Sequence, residues 1–155
     1  MRTLVLLLAA VLLLVFVAAS PSRTQPRTNE DKVYGYFFFA GKAPAAFKDI
    51  DHFDLSIPAY VEKGKPPDYG RIRLKARNKP DYLLLKPTLD GKNLSFKTKA
   101  VGGVSYEFSG TLTRTDFDEP RPASDEIVLR GTLKKIQAGK TIAESKVSFT
   151  WELGD

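Results

Sequence analysis

Residues 93–112, NLSFKTKAVGGVSYEFSGTL, place an apolar or small residue at every second position on both sides of a Gly-Gly pair. Alternation of this kind is the period of a half-buried strand. Glycine pairs between two such runs mark a hairpin. Leu94, Phe96, Thr98 and Ala100 form the buried set of the first strand. Val104, Tyr106, Phe108, Gly110 and Leu112 form that of the second. A two-residue turn at Gly102-Gly103 would pair Val101 with Val104 and set Lys97 beside Phe108, which mixes the faces. A three-residue loop, Val101-Gly102-Gly103, pairs Ala100 with Val104 and Phe96 with Phe108. It keeps the apolar residues on one side.

The same reading extends over the chain from Lys32. Eight strands are expected, at about 33–39, 50–57, 70–77, 82–86, 93–101, 104–113, 126–136 and 142–153, and no segment sustains a helical period. In the last hairpin, a Gln137-Ala138-Gly139 loop aligns Ile127, Leu129 and Leu133 with Phe149, Val147 and Ala143. Trp151 and Leu153 continue the buried face. Phe108-Ser-Gly-Thr-Leu112 and Leu129-Arg-Gly-Thr-Leu133 repeat one pattern. Mid-strand glycine marks a bend or a close backbone approach. The expected fold is therefore all-β: an antiparallel meander of about eight strands forming a β-barrel or a strongly curved β-sandwich. Residues 32–155 are read as a single β domain.

Ahead of it, Arg2 is followed by an apolar run from Leu4 to Ala19 and then by the polar stretch SPSRTQPRTNED. That order reads as a secretory signal peptide over residues 1–19, cleaved after Ala19, with a flexible leader over 20–31. The alternative is an uncleaved anchor over residues 4–19. Sixteen helical residues reach only about 24 Å, against a hydrocarbon core of about 30 Å. The mature chain is thus expected to be secreted or periplasmic, without a transmembrane helix, and monomeric. The formal net charge is +6 and no cysteine occurs, so the fold must rest on its hydrophobic core.

The inventory excludes much chemistry. With His52 the sole histidine and no cysteine, a thiolate nucleophile and the usual His/Cys zinc sets are ruled out. No glycine-rich phosphate loop or specific nucleic-acid motif occurs. No cofactor is expected, and the chain is read as a non-enzyme. Lys48-Asp-Ile-Asp-His-Phe-Asp54 gathers three carboxylates about an imidazole. Asp49 and Asp51 make a weak candidate pair for a hard cation, and Asp49, Asp51, His52 and Asp54 a weak candidate for carboxylate-based hydrolysis. Both readings rank below that of acids at the wet mouth of a strand. The acidic stretch Thr115–Glu126 reads better as a cap over one end of the sheet than as a catalytic pair. Asn93-Leu94-Ser95 is a formal glycosylation triplet.

In Val33–Phe39 the alternation puts Tyr34, Tyr36 and Phe38 on one face and Val33, Phe37 and Phe39 on the other. Burial on both sides outranks an exposed stacking platform. Finally, Tyr69–Arg77 (YGRIRLKAR) alternates cation and aliphatic residue. Arg71, Arg73, Lys75 and Arg77 are expected on one strand face about 6.7 Å apart. Asp81 and Asp54 are the acids within reach. A solvated face is the commoner meaning of such a row. The functional reading is a non-catalytic binding face for an acidic polysaccharide or an anionic surface. The alternative is a carrier of a small apolar ligand, with a cavity lined by Phe96, Tyr106, Phe108 and Trp151.

Overall fold

The computed structural model describes residues 32–56, 67–118 and 120–153. The signal segment 1–19, the leader 20–31 and the expected strand end at Ile57 lie outside them. The described chain is almost all β. Its strands are β1 (Gly35–Phe39), β2 (Ile50–Leu55), β3 (Gly70–Leu74), β4 (Tyr82–Leu83), β5 (Thr88–Asp90), β6 (Asn93–Lys97), β7 (Val104–Leu112), β8 (Leu129–Gln137) and β9 (Lys140–Glu152). A 3-10 turn lies at Ala45–Phe47. All nine strands join one antiparallel sheet in the order β4-β3-β2-β1-β9-β8-β7-β6-β5, curled into a half-barrel. Past β4, Leu84 bridges Thr98. Leu85 N–H donates to Lys97 O and Lys99 N–H to Leu83 O, both at 2.8 Å. The β4 end of the sheet therefore curls round to meet the chain just beyond β6.

The concave side carries the core. Phe37, Phe53, Ile72 and Tyr82 face one another across β1 to β4, and all are buried. Phe53 sits at the centre, 4.6 Å from Phe37, 5.1 Å from Phe96 and 5.0 Å from Phe149 between ring centroids. Phe96 stacks on Phe108 at 5.3 Å. From the Thr115–Glu126 stretch, expected as a cap, the described residues bring Phe117 into the core. Phe117 is fully buried against Phe37 and Trp151, and the Trp151 indole N–H donates to Tyr34 O.

Two hairpins correct the expected loops in the same way. In β6–β7, Phe96 does oppose Phe108 and Lys97 opposes Glu107. Yet the turn is the two-residue Gly102-Gly103, with Val101 and Val104 exchanging hydrogen bonds of 2.8 and 3.0 Å. Thr98 N–H still donates to Tyr106 O, so Lys99 and Ala100 stand against Ser105 alone, a β-bulge. The bulge lets a two-residue turn coexist with unmixed faces, at the cost of Ala100, which is exposed. In β8–β9 the turn is Ala138-Gly139, and a register shift at Lys135/Ile136 follows. Leu129 thus opposes Phe149 and Leu133 opposes Ser145, two residues from the expected alignment. The faces survive because the displacement is even. β3 ends at Leu74, before the expected limit of 77, and residues 75–79 bend away.

Candidate functional site

The outward side of β1–β3 is read directly from the ladder. Phe38, His52 and Arg73 face one another in one row. Tyr36, Asp54 and Arg71 do so in the next. β2 bulges between Ile50 and His52. The extra residue, Asp51, turns to solvent while Ile50 and Phe53 stay inside. Its carboxylate reaches sideways to His52 Nδ1 at 3.0 Å.

This ladder divides the four cations. Arg71 is neutralised: it meets Asp68 at 2.8 Å, Asp81 at 3.6 Å and Asp54 at 3.8 Å. Arg73 shares Asp81 at 3.6 Å. Asp54 and Asp81 are the acids within reach in the sequence, but Asp68 is not evident there. Its signal is local, an aspartate two residues before a glycine, which favours a side-chain turn. Asp68 Oδ1 accepts the Gly70 N–H at 2.9 Å, leaving the other oxygen for Arg71. Lys75 and Arg77 leave the strand face for the exposed bend, where Lys75 N–H donates to Asp49 O at 2.9 Å. Among the described residues neither has an ion pair.

The bend does not scatter the row. Arg73, Lys75 and Arg77 line one groove with Leu74, Asp51 and His52, of about 550 Å³. Within the lining the three cations face one carboxylate, Asp51, which His52 already engages, and Arg73 also reaches Asp81 outside it. His52 is only 7% exposed. Tyr36 meets it edge-on with centroids 5.1 Å apart, and Phe38 lies at 5.2 Å. Asp51 occupies Nδ1 and leaves Nε2 as the ring's other polar atom. Nε2 is buried and, among the described residues, has no hydrogen-bond partner. Burial pushes the Asp54 carboxyl up from 3.8 to about 6, against the opposing charges of Arg71 and His52.

The aromatic run behaves as two faces. Phe37 is buried inside, while Tyr36 and Phe38 stay half-buried on the outer surface beside His52. Asp49 is exposed and contributes only its carbonyl. Among the described residues no three His, Asp or Glu side chains gather as metal ligands. Two acids of the Thr115–Glu126 stretch are tied to the start of the domain: Asp116 pairs with Lys32 at 2.6 Å and Asp118 accepts from the Tyr34 hydroxyl. Asn93 is exposed on β6 and accepts from Thr111 Oγ1 at 3.2 Å. Among the described residues no helix is long and apolar enough to cross a membrane. Compared with known proteins, the chain matches no family, no curated protein and no solved structure.

Proposed function

We propose that the chain is an exported, non-catalytic β-domain that binds an acidic polysaccharide on the outer face of β1–β3. The observation that carries the reading is the gathering of Arg73, Lys75 and Arg77 in one groove with His52. Guanidinium and ammonium groups there suit carboxylate or sulfate groups. The half-exposed rings of Tyr36 and Phe38 offer apolar faces for sugar rings. Arg71, with three carboxylates around it, serves as the strut of this face rather than as a contact. Export follows from the reading of residues 1–19 as a cleaved signal.

The apolar-carrier alternative has less support, because the side chains that would line its cavity spend their surfaces on one another, as the Phe96–Phe108 stack does. Retention on an immobilised acidic polysaccharide, eluted with salt, tests the proposal. Lys75→Glu/Arg77→Glu is the variant of choice because both residues are exposed. The wild type should hold beyond physiological salt and the variant should wash through. Co-elution of the two at low salt would sink the reading.

A further inference from the structure

A second cationic groove lies on the same outer surface. It has a volume of about 590 Å³, and Lys42, Arg130 and Lys146 line it together with Thr111, Thr132 and Ser148. No carboxylate joins the lining, and among the described residues none of the three cations has an ion pair. The ladder shows how the two grooves are connected. Arg73, His52, Phe38 and Thr150 oppose one another in turn across β3, β2, β1 and β9. Two residues along β9 on the same face, Ser148 opposes Arg130 of β8, and Ala40 N–H donates to Ser148 O at 2.8 Å. From β3 to β8 is four strand spacings, about 19 Å along the sheet.

We infer that the two grooves are the ends of one track for an extended acidic polysaccharide; this rests on the function proposed above. The track is cationic at both ends and uncharged between them, where Phe38, Thr150 and Ser148 offer a ring and two hydroxyls. On the adjoining row Glu152 lies opposite Tyr36 and disfavours an anion that strays from the path. Such spacing suits a chain whose charges are separated by neutral, hydroxyl-bearing stretches. It suits a nucleic-acid strand poorly, since a phosphate about every 3.4 Å would leave several unneutralised in the middle.

The test is the affinity of the purified protein for size-defined acidic oligosaccharides, from dimers to dodecamers. It is compared with Lys75→Glu/Arg77→Glu and with Arg130→Glu/Lys146→Glu, and unchanged thermal unfolding confirms that each variant folds. Oligomers long enough to span both grooves should bind at least about tenfold more tightly than dimers, because the second contact becomes intramolecular. Either variant should abolish that gain. If Arg130→Glu/Lys146→Glu binds every length as the wild type does while Lys75→Glu/Arg77→Glu loses binding, the track is wrong and the first groove stands. If Lys75→Glu/Arg77→Glu changes nothing, both proposals fall. Tighter binding of an oligodeoxynucleotide of matched charge would overturn the choice of polysaccharide.

Discussion

Gly110 and Gly131 face each other across the β7–β8 ladder, with the ring of Phe108 over both. A Cβ on Gly131 would stand 2.5 Å from Phe108 Cζ and 2.4 Å from Ser109 O, and one on Gly110 would meet the same ring atom at 2.5 Å. The repeated Gly-Thr-Leu pattern is therefore a single device in which two strands clear the same ground for one ring. Gly131→Ala should cost about 1–3 kcal/mol, the usual penalty of overpacking, measured as a fall in the denaturation midpoint. Phe108→Leu should return only part of it, because the clash with Ser109 O is with backbone. A neutral Gly131→Ala would mean that the ring does not lie there.

Ala138 holds φ at 49° in a turn whose partner, Gly139, sits at 75°. The left-handed region penalises a Cβ, and two-residue turns with both φ positive prefer Asn-Gly. Ala138→Asn should therefore stabilise the protein by roughly 0.5–1 kcal/mol, seen as a rise in Tm. A fall in Tm would argue for the three-residue loop instead.

Asp54 sets a pH dependence of defined sign. Folded, it keeps its proton to about pH 6; its ordinary value is 3.8. The folded state binds the extra proton in between, so the contribution of Asp54 to stability falls as pH rises from about 4 to 6 and stays low above. Asp54→Asn should gain on the order of 1–3 kcal/mol near pH 8, and the gain should vanish below about pH 4. Urea titrations of both proteins at the two pH values decide it. A gain that persists in acid would assign the effect to packing.

Phe117 is the core residue of the Thr115–Glu126 stretch, fully buried with its ring 5.3 Å from that of Trp151. Phe117→Ala should cost about 3–5 kcal/mol. As Trp151 is the sole tryptophan, its emission should shift to the red even where the protein remains folded. Emission that stays blue would place the loop elsewhere.

The period-2 pattern carried most of the fold, because each strand has one dry face and one wet one. Phe96 opposite Phe108, Lys97 opposite Glu107 and the burial of Trp151 all follow from it. It could not disclose the bulges at Lys99-Ala100 and Asp51, since a bulge leaves the faces on either side intact. The β8–β9 alignment slipped by two for that reason. Thr88–Asp90 is too short to show a period, and β5 is invisible in the sequence. At the site, the alternation named Arg71 and Arg73 as neighbours but treated the four cations as equals. Only the fold separates Arg71, enclosed by Asp54, Asp68 and Asp81, from the free pair on the bend.

The pairing of β1 with β9 also constrains how the protein is made. Phe37 and Phe38 of the uncharged segment GYFFF lie opposite Trp151 and Thr150, more than a hundred residues downstream. During synthesis β2 follows soon after and covers one edge of β1. The other edge, aromatic and without a gatekeeping charge, waits for the last strand. A ribosome that stalls beyond β2 but short of Trp151 leaves a sticky template exposed. Slow translation of the second half of the message is then a hazard in its own right, independent of how stable the finished sheet is.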